Sequence, residues 1–265
     1  MRLSVVIPTK NEESNIGTCL DAFAAFRKEV ELIVVDNFSP DRTREIAADR
    51  GAKVLTQGPE RCAQRNRGWR GATGEYVMFV DADMVVPDAT IREIIERTND
   101  RTFECCWVPE VRAGSGLRMK ARNFERSFYD GTCIDGFRVI RRACLEKIGG
   151  YDEKLVACED WDLDRRLLAT GARTAIAKGH LIHNEARQDF KTMLNKKAYY
   201  ASSIAAYRAK WADDEICRKQ FGLYYRFLGV FIENGKWRKL IRHPILAIVM
   251  CFERFAVGLT YLLNR

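Results

Sequence analysis

Asp81-Ala82-Asp83 carries the plainest chemical signal in the chain, since it follows the strand-like run Glu75–Val80 and precedes a fresh helix signal. Two carboxylates delivered by one strand end can hold a divalent cation. A hard ion such as Mg²⁺ or Mn²⁺ takes few protein oxygens and fills its remaining positions from water and phosphate, which is the chemistry of a nucleotide diphosphate site. Taken alone, the pair reads equally well as a solvated turn, because Asp is common where strands end. Its neighbours along the chain decide between the two.

The elements that must position the pair alternate. Leu3–Ile7 is an apolar run closed by Pro8, and Ile16, Cys19, Leu20 and Phe23 follow at helical spacing behind Asn11-Glu12-Glu13. Leu32–Val35 is a second strand ending at Asp36-Asn37, and Ser39 with Pro40 predicts a capped helix running to Arg50. A third strand at Ala52–Leu55, a helix from Glu60 to Gly71 and a strand at Tyr76–Val80 complete the pattern. Such alternation predicts an α/β fold with a mainly parallel central sheet flanked by helices, whose ligands bind beyond the carboxyl ends of the strands. Three of those ends carry Thr9-Lys10-Asn11, Asp36-Asn37 and Asp81-Ala82-Asp83. Further on, strands are expected at 103–108 and near 137–140, with a basic, Gly-containing stretch to Arg126 between them. Glu159–Ala169 reads as a helix burying Leu163, Leu167 and Leu168, and Arg173–Ala177 as a strand leading to His180 and His183.

The chain has 265 residues and a formal charge of +8, and that charge is not evenly spread. Residues 1–185 carry −1 and residues 186–265 carry +9, so the basicity belongs to the tail. A basic tail can meet nucleic acid, an acidic partner or anionic lipid. Nine cysteines without a Cys-x-x-Cys pair, and three histidines, form no zinc pattern and read as reduced, mostly buried thiols. The start runs straight into a strand and has no signal-peptide character, which points to a cytoplasmic location.

These residues together resemble a family 2 glycosyltransferase of the GT-A type. The matching stretches are Val5–Glu12, Val34-Val35-Asp36-Asn37, Arg65-Asn66-Arg67-Gly68, Asp81-Ala82-Asp83, Gly149-Gly150-Tyr151-Asp152 and Glu159-Asp160, in that order over roughly residues 1–185. Each is weak alone, and six in order are strong. The resemblance implies a nucleotide-diphospho-sugar donor, Mn²⁺ or Mg²⁺, and transfer with inversion. By the same resemblance Asp36 accepts from the imide of uracil, Pro8, Thr9, Asn11, Glu12 and Asn37 line the nucleotide cleft, and Arg65 is a cation near the nucleotide. Asp81 lies by the nucleotide sugar and Asp83 contacts the metal, with Asp81 and His183 as further ligands. Asp160 resembles the general base that takes the acceptor's hydroxyl proton, and Glu159 orients it or touches the acceptor. The plainer alternatives are a solvated Arg65 and an acidic helix whose Asp162 and Asp164 merely pair with Arg165 and Arg166.

Residues 186–265 are expected to form a basic, helical C-terminal extension that associates with a membrane. Pro244–Phe252 and Phe255–Leu263 are apolar runs split by Glu253-Arg254, each too short for the roughly 20 residues a span takes. With Arg218, Lys219, Arg226, Lys236, Arg238, Lys239 and Arg242, and aromatics from Tyr199, Tyr200, Tyr207 and Trp211 to Tyr224, Tyr225 and Trp237, they suit the anionic cytoplasmic face of a membrane. The alternative is a helical subdomain packing Phe221, Leu228, Phe231 and Trp237 on the core, or a homodimer. A membrane-bound transferase suggests a lipid-linked glycan acceptor. A polyprenyl phosphate is the alternative acceptor, although an ionised phosphate needs no base. A nucleotidylyltransferase would need glycines where Thr9-Lys10-Asn11-Glu12 stands, and a non-catalytic nucleotide- or nucleic-acid-binding scaffold would need no intact Asp81, Asp83 and Asp160; nucleic acid is not expected as a partner.

Overall fold

A computed structural model describes residues 2–184, 203–212 and 214–263, with side chains to Phe255. Tyr199 and Tyr200 lie outside the described residues. The expected alternation forms a seven-stranded sheet in the order β3-β2-β1-β4-β8-β6-β9. Its strands are β1 (Leu3–Thr9), β2 (Val30–Asp36), β3 (Lys53–Thr56), β4 (Tyr76–Phe79), β6 (Cys105–Trp107), β8 (Val139–Arg141) and β9 (Thr174–Ile176). β3, β2, β1 and β4 run parallel, while β8 is antiparallel to both β4 and β6. A second, three-stranded sheet of β5 (Met84–Val85), β10 (Leu181–His183) and β7 (Glu110–Arg112) was not legible from hydrophobic period, because its strands are two or three residues long.

Strand alternation divides the core. Val5, Ile7, Leu32, Val34, Met78 and Cys106 face one helical layer, and Val6, Ile33, Val35, Val77, Phe79 and Cys105 face the other. The adjacent Cys105 and Cys106 are thereby explained: each fills a different core as a small buried side chain. All nine cysteines are free thiols, as expected.

In chain order the first helices are α1 (Ile16–Asp21), α2 (Thr43–Asp49), α3 (Arg61–Arg70), α4 (Asp88–Asn99), α5 (Gly116–Arg126), α6 (Arg142–Ile148) and α7 (Glu159–Leu168). Helix α3 sits close on β1 because Gly68 allows it; a Cβ there would stand 2.2 Å from Val6 Cγ1. Gln64 fastens the same helix by donating to Thr9 O and Val35 O at 2.8 and 2.6 Å. Asn66 ties it to the Gly-Gly-Tyr turn, accepting from Tyr151 N and donating to Tyr151 O, both at 2.9 Å. Two of the sequence signatures are therefore one structural joint, and it fixes where Arg65 points.

Several sequence expectations change. Helix α2 (Thr43–Asp49) starts later than Ser39 and Pro40 suggested, because Ser39 hydrogen-bonds Asp36 and Asn11 instead of capping a helix. The basic stretch before Arg126 is helix α5 (Gly116–Arg126). In α7 (Glu159–Leu168), Leu163 and Leu167 are buried as expected but Leu168 is exposed. Phe231 does pack on the core, with Phe124 and Phe128 of the α5 region, whereas Leu228 and Trp237 are exposed.

Candidate functional site

Arg65 stands at the centre of the site with 1% of its side chain exposed. It is no solvated helix arginine. Its guanidinium donates to Asp160 Oδ1 at 2.8 Å and to Asp81 Oδ1 at 3.1 Å, and lies 3.7 Å from Glu159 Oε1. One buried cation thus joins the carboxyl end of β4 to the first turn of α7. Burial opposes charge here, but Asp160, Asp81 and Glu159 outweigh it and hold the guanidinium firmly protonated.

Asp81 spends its second oxygen on Arg138, 3.4 Å away. Burial would raise its pKa, but Arg138, Arg65 and Arg61 prevail and keep its carboxyl well below the ordinary carboxylate range. Arg138 continues the network, donating to Glu110 from Nε at 2.9 Å, and Arg126 lies 3.4 Å from both Glu110 and Asp135. Arg138, Arg126, Glu110 and Arg61 were missed from sequence; no local pattern marks them, because the sheet topology alone brings them together.

Asp83 faces the other way. Its Oδ2 is 3.0 Å from His183 Nε2, and the Asp83 carbonyl accepts from Asn184 N at 2.9 Å. The antiparallel pairing of β5 with β10 sets His183 beside Met84 and makes this contact. Both side chains are partly exposed. Hydrogen bonding to Asp83 raises the His183 pKa against the opposing effect of burial. Asp81, expected as a further ligand beside Asp83, is engaged by the guanidinium groups of Arg65 and Arg138. Among the described residues no group of three His, Cys, Asp or Glu side chains is arranged to hold a metal. The donor set nevertheless fits a hard divalent ion at Asp83 and His183, an anionic oxygen and an imidazole nitrogen at an open edge, if phosphate and water supply the rest.

Asp36 is fully buried, accepting from Thr9 Oγ1 at 3.2 Å and from Ser39 N at 2.8 Å. In this conformation it shapes the β2–α2 loop and offers no surface to a base. Pro8, Thr9 and Asn37 are also buried, and Asn11 is exposed. The aromatic face that loop does present is Phe38, 68% exposed at φ +51°. Glu12 accepts from Asn15 and has its pKa raised, first by burial and then by Asp83, despite that hydrogen bond.

The acidic helix does not merely decorate a surface. Asp162 pairs with Arg166 at 2.8 Å, as its spacing suggested, but is wholly buried, and Asp164 accepts from Phe137 N at 3.0 Å and from Trp107 Nε1 at 3.0 Å. Cys158 enters the helix in the left-handed region at φ 61°, and Gly136 lets Asp160 lie close, since a Cβ at Gly136 would stand 3.0 Å from Asp160 Cβ. Asp160 keeps 34% of its side chain exposed and lines two clefts of about 330 and 130 Å³. Trp161 borders both. It too went unnoticed in the sequence, although it adjoins Asp160.

Burial and the neighbouring Asp160 push Glu159 up to about 6, even though Arg65 and Arg61 pull the other way. A carboxyl raised above its ordinary 4.5 is disfavoured as the anion, so its penalty is absent at pH 4 and complete above about pH 6. Glu159→Gln is therefore expected to gain up to about 2 kcal/mol over the natural chain at pH 8 and nothing at pH 4. Urea melts at the two pH values read this difference. An equal gain at both would remove the titration from the explanation.

With the fold and the side-chain network in place, the chain's class is plain: an α/β protein of the GT-A type, with a mainly parallel sheet and charged groups gathered at its strand ends. It belongs to glycosyl transferase family 2, whose family model matches residues 4–149. Dolichol-phosphate mannosyltransferase of Pyrococcus furiosus is 33% identical over 156 residues, covering 56% of this chain and 42% of that protein. Poly(ribitol-phosphate) beta-N-acetylglucosaminyltransferase TarS of Staphylococcus aureus is 33% identical over 212 residues, covering 76% and 35%. The chain spans less than half the length of the first curated relatives it matches. Among solved structures, mannosyltransferase PcManGT from Pyrobaculum calidifontis in complex with GDP-Man and Mn2+ is similar at TM-score 0.65 and 18% identity, covering 97% of this chain and 80% of that one. S. aureus TarS 1–349 in complex with UDP-GlcNAc gives 0.62 at 18% identity, covering 94% and 79%.

Proposed function

We propose that this chain transfers a sugar from a nucleotide-diphospho-sugar, UDP-sugar favoured, to a hydroxyl of a lipid-linked glycan, with inversion at the anomeric carbon. The observation that carries the reading is the buried Arg65, which couples Asp81 on the donor side to Asp160 on the acceptor side. Asp160 takes the acceptor's hydroxyl proton as that oxygen attacks. Arg65 fixes the direction of its carboxylate, and Glu159 adjoins it. Asp83 and His183 would hold Mn²⁺ or Mg²⁺, which would offset charge on the departing diphosphate. Phe38 gives the nucleobase a face, while Asp36, Thr9 and Asn37 hold the loop that carries it. Pro8, Asn11 and Glu12 border the same cleft. The similarity to complexes described as holding GDP-Man with Mn2+ or UDP-GlcNAc supports a nucleotide-sugar donor.

Titrating UDP and GDP in thermal melts with and without Mn²⁺ tests the donor site. Metal-dependent protection is the expected result, and no protection by either nucleotide defeats the reading. A phosphate acceptor is the second reading, favoured by the similarity to a dolichol-phosphate mannosyltransferase.

The catalytic region is taken as residues 1–185 and the basic remainder as the part that meets the cytoplasmic face of a membrane. No helix among the described residues is long and apolar enough to cross one. On the last helix Ile245, Ile248, Phe252 and Phe255 are each at least 65% exposed, at spacings that share one helical face, and Ile241 of the preceding short helix is 68% exposed. The helices behind them pack on α5, so removing the segment from Pro244 would strip the core. Surface substitution is the cleaner test. The intact chain is expected to float with anionic vesicles at low salt, and Ile241→Ser/Ile248→Ser to float several-fold less with an unchanged melt. An intact chain that stays unbound at low salt, or forms a stable dimer through this face, overturns the membrane reading.

A further inference from the structure

A cavity of about 560 Å³ opens between α5 and the last helix, Pro244–Leu263. One wall is apolar, with Phe227, Val249 and Phe252; the other carries Arg118 and Arg122 of α5. The two glutamates that line it are already taken, Glu253 by Arg118 at 2.8 Å and Glu125 by Arg254. Arg122 is exposed and, among the described residues, makes no hydrogen bond or ion pair. The cavity therefore offers an unspent guanidinium on one side and aromatic surface on the other, with Phe227 48% and Phe252 72% exposed. Water satisfies the cation but not the rings.

Direction along α5 adds a second constraint. Arg118, Arg122 and Arg126 fall at i, i+4 and i+8, so they share one face of the helix. Arg126 pairs with Glu110 and Asp135, which line the cleft against Asp160. From Arg122 to Arg126 is one helical turn, about 6 Å along the axis. A phosphate held at Arg122 is thus about one turn from the network that borders the candidate base.

We propose that this cavity is the seat of the acceptor's lipid phosphate: Arg122, with Arg118, binds the phosphate of an isoprenoid-type amphiphile, and Phe227, Val249 and Phe252 take the first part of its chain. This rests on the reading that the acceptor is lipid-linked, and it specifies which part of the lipid the protein grips. Guanidinium groups suit phosphate because they donate two parallel hydrogen bonds. A sugar beyond that phosphate then extends along α5 toward Asp160 and Trp161.

The test uses the full chain with excess UDP and Mn²⁺ filling the donor site, and measures binding of radiolabelled farnesyl phosphate, below its micelle threshold, by equilibrium dialysis. The natural chain is expected to bind it more tightly than either farnesol or inorganic phosphate. Arg122→Glu and Phe252→Ser are each expected to weaken binding by about tenfold or more, the size of a lost charge-assisted contact or a lost aromatic wall. Both positions are exposed, so both variants should keep the natural melting curve. Leu168→Ser, an exposed apolar change elsewhere, should bind like the natural chain. Farnesyl phosphate affinity unchanged by Arg122→Glu, or matched by farnesol or by inorganic phosphate alone, overturns the proposal. UDP and GDP protection measured on the same protein separates the two readings. Farnesyl phosphate binding without nucleotide binding sinks the transferase assignment and keeps the cavity; the reverse sinks the cavity alone.

Discussion

Asp81→Ala is expected to abolish transfer and to cost about 3–5 kcal/mol of stability, whereas Asp83→Ala abolishes transfer with little change in stability. Adjacent in the sequence signature, the two carboxylates do opposite jobs. Asp81 is the shared anion between Arg65 and Arg138, whose side chains are 1% and 13% exposed. Removing it takes from two buried guanidinium groups the anion they share, leaving Arg65 to Asp160 and Glu159 and Arg138 to Glu110, and a Tm lower by roughly 10 °C follows for a chain of this size. Among the described residues the Asp83 carboxylate pairs with His183 alone, at a partly exposed edge, so its loss strands no buried charge. On the proposed assignment that loss removes the anionic ligand for Mn²⁺, and with it metal-dependent protection by UDP. Calorimetry with and without UDP and Mn²⁺ reads both effects. Equal Tm losses in the two variants would contradict the division of roles, and a Asp83→Ala protein with normal Mn²⁺ dependence would move the metal elsewhere. The linkage has a sign that can also be checked. Because Asp81 is held below its ordinary value of 3.8 by Arg138, Arg65 and Arg61 against the pull of burial, its stabilisation is complete above about pH 4 and fades as pH falls toward its folded value. Asp81→Ala should therefore lose its disadvantage in acid.

How much of this was legible in the sequence depends on the range of the interaction. The four parallel strands and their polar ends were readable because apolar runs and Asp, Asn or Thr at their ends are local signals. The start of α2 was misplaced because Ser39 satisfies Asp36 and Asn11, a choice made by tertiary contact and not by capping preference. Arg65 could be named from its motif, but its burial could not, since the carboxylates that compensate it lie 16 and 95 residues away. Arg138 and Arg126 had no motif at all. The same holds for Asp164, whose burial follows from Phe137 N and Trp107 Nε1 meeting it across the fold. In the tail, composition marked the apolar and basic excess, but only packing separates Phe231 and Met250, which are buried, from Phe252 and Ile248, which are not. Helical period alone gives a stripe, not the side of it that water sees.

Asp160→Asn is expected to keep nucleotide affinity and to lower kcat by about 10²-fold or more, the range lost with a general base. The geometry makes this separation demanding. Asp160 Oδ1 accepts from Arg65 at 2.8 Å, yet Arg65 retains Asp81 at 3.1 Å and Glu159 at 3.7 Å when Asp160 is neutralised. The guanidinium therefore stays charged and in place, and the donor side should be undisturbed. The acceptor side loses its proton sink. If the acceptor is a hydroxyl, the loss appears in kcat and cannot be recovered by raising acceptor concentration. A phosphate acceptor is already ionised and would be nearly indifferent to the change. Running lipid-linked glycan and polyprenyl phosphate side by side with the variant thus decides between the two readings: a large defect confined to the glycan supports Asp160 as base, and full activity toward the phosphate lipid in both proteins reassigns the acceptor. Loss of UDP affinity in step with rate would place Asp160 in the donor site instead, leaving the inverting assignment without its base.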